Sequence, residues 1–99
     1  MLNNMTFRIR RAIVRALFNY AGAQDLDTVA AHPAVMIENP PVELLRQEWD
    51  VLAAAGIIEQ LPGYAGGVAK LSPGIRLQME QNHGGNPPPS PILYGPEVM

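Results

Sequence analysis

The segment over residues 39–80 most constrains what this chain can fold into. An amphipathic helical pattern over residues 40–55 ends at Gly56, and two short apolar runs follow at residues 57–61 and 68–71. Glycine commonly ends a helix, and proline and glycine between two apolar runs of strand length favour a β-hairpin. Ser72 and Pro73 then form a helix start signal. The segment therefore predicts a helix, a hairpin and a further short helix, in that order.

Length and composition favour one small domain followed by a tail. The chain has 99 residues, of which 47% are hydrophobic, and this suits a single domain that buries a core. Beyond residue 81 the sequence is rich in glycine and proline, and the prolines over residues 87–91 favour polyproline II. We therefore predict a folded domain over residues 1–81 and a Pro/Gly-rich C-terminal tail over residues 82–99.

Several classes of function are disfavoured by the residues present. The chain has no cysteine, which excludes disulfides and thiolate metal sites. His32 and His83 lie far apart, and no nucleophile or carboxylate pair has a catalytic spacing, so we expect no metal, no cofactor and no enzyme activity. No apolar run approaches the roughly 20 residues that span a bilayer, and the N-terminal residues lack an apolar signal core. We expect a cytoplasmic protein that does not bind a membrane.

The first helix is predicted from Phe7 to Tyr20, with Thr6 as its N-cap. One face is apolar and should meet the core. A second apolar line has two interpretations: it is covered by the C-terminal or N-terminal residues, or it binds a partner or a second copy. The residues of this second line are Phe7, Val14 and Phe18. Basic residues also gather on this helix, namely Arg8, Arg10, Arg11 and Arg15.

A second, shorter helix should begin at Asp25 or Asp27 and run to about His32. Residues 34–38 then read as a short apolar link with an extended conformation. Asn39 is predicted to cap the third helix, because asparagine is a favourable N-cap and the prolines that follow it fit a first helical turn.

The third helix should contribute the centre of the core. Its apolar residues recur at three- and four-residue steps, and the residues that carry this pattern are Val42, Leu45, Trp49 and Leu52. Glu48 lies on the apolar side, where a carboxylate needs a partner. We predict that Glu48 pairs with Arg11 or Arg15 of the first helix. The opposite, polar face carries Glu43, Arg46, Gln47 and Asp50.

The order of these signals resembles the winged helix-turn-helix superfamily, which includes many bacterial transcription regulators. The resemblance rests on the helix over residues 40–55, the sequence Gly-Ile-Ile-Glu after it, a glycine-bearing turn, and Ala-Lys-Leu-Ser-Pro-Gly-Ile-Arg-Leu. In that superfamily Leu-(Thr/Ser)-Pro-x-Gly opens the last helix, whereas here Leu71, Ser72, Pro73 and Gly74 form a motif one residue shorter. The resemblance covers about residues 6 to 80. It implies a mainly α fold with a small β-hairpin: a three-helix core, a wing and a short C-terminal helix.

The resemblance also implies a function and a set of site residues. The third helix would be the recognition helix and the hairpin would be the wing of a DNA-binding transcriptional regulator, expected to act as a dimer. On this mapping the groove-facing residues are Glu43, Arg46, Gln47 and Asp50, together with Tyr64 and Lys70 of the wing. Phosphate contacts would come from the first helix, from Arg8, Arg11 and Arg15.

The charge balance supports an alternative function. The net charge is −2 at pH 7, whereas a nucleic-acid-binding domain usually has a basic surplus. Glu43 and Asp50 would also repel phosphates. The alternative is a protein-interaction module, or a subunit of a larger assembly, that does not bind DNA. It would use the second apolar line, the Pro-rich tail, or the first-helix arginines against an acidic protein surface.

Overall fold

The computed structural model describes residues 4–62, 67–82 and 84–95 of the chain. Within those residues the protein is mainly helical with a small antiparallel sheet, as the sequence predicts at this level of detail. The elements in chain order are α1 (Asn4–Phe18), β1 (Gln24–Asp25), α2 (Leu26–Ala30), α3 (Pro33–Met36), α4 (Val42–Ala54), β2 (Ile58–Leu61), β3 (Val68–Leu71), α5 (Pro73–Asn82) and α6 (Pro91–Tyr94).

Within the residues that the structure describes, the sheet has three strands in the order β1-β3-β2, and both pairings are antiparallel. The two predicted hairpin strands are confirmed as β2 and β3, with Glu59 opposite Lys70 and Gln60 opposite Ala69. The two-residue strand β1 was not predicted, because its pairing of Gln24 with Ala69 joins segments far apart in sequence. The predicted wing residue Tyr64 lies outside the described residues.

The first helix is displaced toward the N-terminus from its predicted position. α1 begins at Asn4 and ends at Phe18, so Thr6 is a buried residue inside the helix and its assignment as N-cap is wrong. At the other end, Arg76 of α5 donates hydrogen bonds to three backbone carbonyls, those of Leu17, Phe18 and Tyr20. The last carbonyls of a helix lack donors within the helix, and the Arg76 guanidinium provides such donors at the end of α1.

The core lies between α1, α4 and the inner face of the sheet. Trp49 is fully buried there, as predicted, together with Ile9 and Ile13 of α1. Ile58 and Ala69 bring the sheet into the same cluster. Apolar side chains on facing helices and strands exclude water together, and this is the main stabilising term in a domain of this size.

The connection between α1 and α4 contains two short helices. Asp25 caps α2, as one of the predicted alternatives, by accepting the Thr28 N–H at 2.8 Å. The expected extended link over residues 34–38 is wrong, because α3 begins at Pro33. The His32 Nδ1 accepts the Ala34 N–H at 3.0 Å and so caps that helix. Proline at the first position of a helix already has the required φ angle.

The start of α4 also differs from the prediction. Asn39 is not the N-cap, since its φ of +47° places it in the left-handed region. Pro41 occupies the cap position without a side-chain hydrogen bond, and the helix begins at Val42. Asparagine tolerates the left-handed conformation better than most residues. Asn39 therefore turns the chain between α3 and α4.

The end of α4 follows the prediction. Gly56 has a φ of +78°, its N–H bonds the Ala53 carbonyl at 3.1 Å, and the Ile57 N–H bonds the Leu52 carbonyl at 3.0 Å. This pair of bonds is the Schellman arrangement, which stops a helix at a left-handed residue. Ser72 then joins the start of α5 to this stop by donating from its hydroxyl to the Gly56 carbonyl.

The described part of the predicted tail packs against α1. Pro87 and Pro88 are buried, and the Tyr94 hydroxyl donates to the Pro87 carbonyl at 2.8 Å. Polyproline II does not continue through residues 91–94, because Ser90 caps the helical turn α6. Leu93 of that turn is fully buried in the core. Residues 84–95 thus contribute to the same hydrophobic cluster as α1 and α4.

Candidate functional site

The polar face of α4 is the predicted recognition surface. Its four residues, Glu43, Arg46, Gln47 and Asp50, are all exposed and share one side of the helix, because three- and four-residue steps return to the same face. A Cβ built on Gly67, at the base of the hairpin, would lie 3.6 Å from the Arg46 Nη1. The face therefore adjoins the hairpin base.

Lys70 is the predicted wing residue that the structure describes, and a carboxylate lies opposite it in the sheet. Lys70 is exposed on β3, and the residue opposite it on β2 is Glu59, which is also exposed. A cross-strand carboxylate at this position reduces the positive potential that a phosphate would meet at Lys70. The described part of the hairpin gives little support to phosphate binding.

Arg10 of α1 is buried against α4. The Arg10 Nε donates to the Glu48 Oε1 at 2.7 Å, and both side chains are buried. Glu48 does have a cationic partner on α1, but the predicted choice of Arg11 or Arg15 is wrong. At 100° per residue, Arg10 lies between Val14 and Leu17 on the helix. Arg10 is therefore buried when both apolar faces of α1 are covered. Its position between the two faces would have allowed this burial to be predicted from the sequence.

Arg11 binds the C-terminal segment rather than presenting a free cation. Its Nη1 donates to the Leu93 carbonyl at 2.8 Å, and its guanidinium carbon lies 4.8 Å from the centre of the Tyr94 ring. Arg10 donates in parallel to the Ile92 carbonyl at 2.9 Å. Two adjacent arginines therefore satisfy carbonyls in the last turn of α6, where a helix has unpaired acceptors.

Two predicted phosphate-binding residues remain, Arg8 and Arg15. Arg8 forms an ion pair, and Arg15 lies at the edge of α1. The Arg8 Nε lies 3.0 Å from the Glu38 Oε1 in an ion pair without hydrogen-bond alignment. Arg15 is half-buried at the edge of α1. The guanidinium groups of at least four of the six arginines are thus engaged within the fold. These four are Arg8, Arg10, Arg11 and Arg76.

The second apolar line of α1 is covered, which is one of the two alternatives that the sequence left open. Phe7 and Val14 are buried, and Phe18 is half-buried. A Cβ built on Gly95 would lie 3.3 Å from the Phe7 ring, and one on Gly85 would lie 3.3 Å from the Phe18 ring. The line is therefore not available to a partner or a second copy while residues 84–95 occupy it.

A different apolar surface is exposed where α3 turns into α4. Met36, Ile37 and Val42 are 61%, 81% and 72% exposed, and Pro41 beside them is exposed as well. We name these four residues the α3–α4 corner. The prediction that Val42 belongs to the core is wrong, because Val42 is the first residue of α4 and lies beyond the end of the core.

The described residues contain no group of three or more histidine, cysteine, aspartate or glutamate side chains placed to hold a metal ion. Within those same ranges, no helix has the length and apolar character required to cross a membrane. Comparison with protein-family models, with curated proteins and with solved structures finds no match for this chain.

Proposed function

We propose that this chain is a winged-helix-like interaction module that binds another protein and does not itself bind DNA. The winged-helix part of the proposal is supported by the order of α4, Gly56, β2, β3 and α5, which is the order that the sequence resemblance implies. Folds of this kind host many functions, so the surface and not the fold has to decide between them.

The engagement of the arginines within the chain is the observation that carries the proposal. Arg10 binds Glu48, Arg11 binds the Leu93 carbonyl, and Arg76 binds the end of α1. A DNA-binding protein gains most of its non-specific affinity by neutralising phosphates with such groups. Since these side chains serve the fold and the net charge is −2, a protein partner fits the surface better than a polyanion.

The first test is a titration of the purified full chain with fluorescently labelled mixed-sequence duplex DNA at low and moderate salt. We expect no saturable binding at concentrations of about 1 μM, which is the strong end of ordinary non-specific affinity. Affinity at that level that falls steeply as salt rises would contradict the proposal. A variant with Glu43→Gln and Asp50→Asn serves as a positive probe, because it removes the two carboxylates that oppose phosphate.

The second test asks whether the partner is a protein. The tagged chain is used to capture material from an extract, with and without nuclease treatment. Captured proteins that persist after nuclease treatment support the proposal, whereas material that disappears with the nucleic acid opposes it.

DNA recognition remains the second candidate because of one specific observation. Arg46 and Gln47 are adjacent and exposed on α4, and these residue types can hydrogen-bond to guanine and adenine edges in the major groove. If this candidate is correct, Arg46→Ala and Gln47→Ala should each weaken binding to a selected DNA sequence, while Leu77→Ala on α5 should not.

A further inference from the structure

We infer that the α3–α4 corner is the docking surface of this module, and that its partner is a cationic amphipathic segment of another protein. The inference rests on the proposed function and adds to it a location and a class of partner.

The corner concentrates exposed apolar side chains in a short stretch of chain. Met36, Ile37 and Val42 lie within seven residues and are each more than half exposed. Single exposed apolar residues are ordinary, whereas several together with polar residues beside them are typical of an interaction surface. The methionine also suits such a surface, because its flexible thioether adapts to different apolar partners.

The backbone of the corner is held in place before any partner arrives. Pro40 and Pro41 restrict φ through the turn, and the Asn39 N–H bonds the Met36 carbonyl at 3.0 Å. Val35 is buried in the core, and the Arg8–Glu38 ion pair ties the turn to α1. A surface that is already ordered loses little conformational entropy on binding.

The exposed carboxylates on the α4 side of the corner determine the chemistry of the partner, because Arg8 and Glu38 on the α1 side form an ion pair that is neutral as a whole. Glu43 follows Val42 directly, and Asp50 lies seven residues further along α4, which is two helical turns on the same side. Both carboxylates are exposed. Arg46 lies between them in sequence, but its guanidinium is placed beside Gly67 at the hairpin. A segment with apolar residues flanked by lysine or arginine would complement this arrangement.

A second copy of the chain fits the corner poorly. Two-fold symmetry places the same surface on both sides of an interface, so Glu43 would approach its own copy, and each chain has a net charge of −2. A stable interface also buries roughly 800 Å² on each partner, more than four side chains supply. A short amphipathic segment requires less area and brings the opposite charge.

The experiment uses the full chain and two labelled peptides of about five helical turns. One has leucine at helical spacing with lysine elsewhere, and the other has glutamate in place of lysine. Fluorescence anisotropy at low salt should show saturable binding of the lysine peptide, with an affinity about tenfold or more above that of the glutamate peptide. The affinity should fall as salt rises.

Three variants locate the binding on the surface. Ile37→Ser with Val42→Ser should weaken binding of the lysine peptide by about tenfold or more. Leu77→Ser is the matched control, because Leu77 is a 51% exposed apolar residue on α5, and it should leave binding unchanged. Glu43→Lys should weaken the lysine peptide and strengthen the glutamate peptide. Circular dichroism and thermal unfolding confirm that each variant is folded.

Several results would overturn the inference. They are a preference for the glutamate peptide, no saturable binding, or equal weakening by the corner variant and the Leu77→Ser control. Concentration-dependent dimerisation that the corner variant abolishes would assign the surface to a second copy. Binding to phosphatidylcholine–phosphatidylserine vesicles that the same variant abolishes, without peptide binding, would assign it to a lipid surface.

The failure of this inference can be told apart from failure of the proposed function. DNA binding by the full chain would remove the protein-module proposal itself. If the chain does not bind DNA, and if peptide binding is unaffected by the corner variant, only the assignment of the corner is lost.

Discussion

The guanidinium of Arg10 and the carboxylate of Glu48 form a buried ion pair that joins α1 to α4. The Nε and Oε1 atoms lie 2.7 Å apart, and the two side chains are only 6% and 2% exposed. Arg10 also donates to the Ile92 carbonyl, and its guanidinium carbon lies 5.3 Å from the centre of the Phe7 ring. One side chain therefore connects α1, α4 and the C-terminal segment.

Removing one partner of this pair should destabilise the fold strongly. Glu48→Gln leaves the Arg10 cation buried without its counter-charge, and breaking a buried pair in this way costs about 3–5 kcal/mol. The free energy of unfolding is measured by urea denaturation followed through Trp49 fluorescence. The control is Glu43→Gln, an exposed residue of the same helix, which should change stability by less than about 0.5 kcal/mol.

Replacing both partners tests whether the pair acts as a unit. A variant with Arg10→Met and Glu48→Met should lose less stability than the sum of the two single variants, because neither charge is then left alone in the core. Additive losses, or a Glu48→Gln variant as stable as the control, would contradict the structure's account of this pair.

Leu93 should contribute as a core residue although it lies in the Pro-rich segment. It is fully buried in the cluster that includes Ile9 and Trp49, so Leu93→Ala should lower the free energy of unfolding by about 2–5 kcal/mol. Leu77→Ala provides a comparison at an exposed position, and its effect should stay within about 0.5 kcal/mol. Similar small effects of both variants would show that residues 84–95 do not pack on α1 in solution.

Two glycine substitutions should have opposite signs. Gly56 has a φ of +78° and nothing within 4 Å of an added Cβ, so Gly56→Ala should cost about 1–2 kcal/mol through backbone strain alone. Gly74 lies in α5 with equal space and without a left-handed φ, so Gly74→Ala should stabilise by about 0.5–1 kcal/mol. Thermal unfolding of both variants tests this prediction. A change of melting temperature with the same sign in both would contradict the difference in φ between Gly56 and Gly74.

Asp25 should give α2 a dependence on acidic pH. Hydrogen bonds from the Thr28 side chain and then from its backbone N–H favour the ionised carboxylate, so the pKa of Asp25 lies below its ordinary value of 3.8. A lowered pKa in the folded state means that the contribution to stability is present above pH 3.8 and is lost as pH falls through the folded-state value. The stability difference between the natural chain and Asp25→Asn should shrink over that acidic range.

The titration of Asp25 can also be followed directly by NMR. Thr28→Val removes the side-chain hydrogen bond and keeps the backbone one, so it should raise the pKa of Asp25 part of the way toward 3.8. A pKa of Asp25 at or above 3.8 in the natural chain would contradict the cap.

The parts of the fold that local chemistry determines could be predicted from the sequence. The hydrophobic period of α4, the stop at Gly56 and the two apolar runs of β2 and β3 each depend on neighbouring residues. The burial of Trp49 follows from the same pattern. The cap by Asp25 is similarly local, because its acceptor lies three residues from the donor.

The partner of Glu48 was mispredicted because it depends on contacts distant in sequence, whereas the other mispredictions concern local caps and helix ends. Arg10 rather than Arg11 or Arg15 binds Glu48 because residues 84–95 cover the other side of α1, and proline-rich composition gave no indication of that packing. His32 caps α3 with its side chain. Histidine is not among the usual N-cap residues, so the sequence pattern predicted an extended segment over residues 34–38 instead of a helix. The four polar residues of α4 are exposed, as their spacing predicts, whereas the exposed corner beside them was missed because Val42 fitted the apolar period.

The carbonyl of Ile92 lies 82 positions along the chain from the arginine that binds it. A ribosome releases α1 before it releases α6, so Arg10 and the neighbouring Phe7 ring stay in contact with water until residues 84–95 have been released. Closure of so long a loop is slow compared with formation of a helix. We expect the nascent chain to remain open along one side of α1, and to complete its fold only when residues 84–95 emerge.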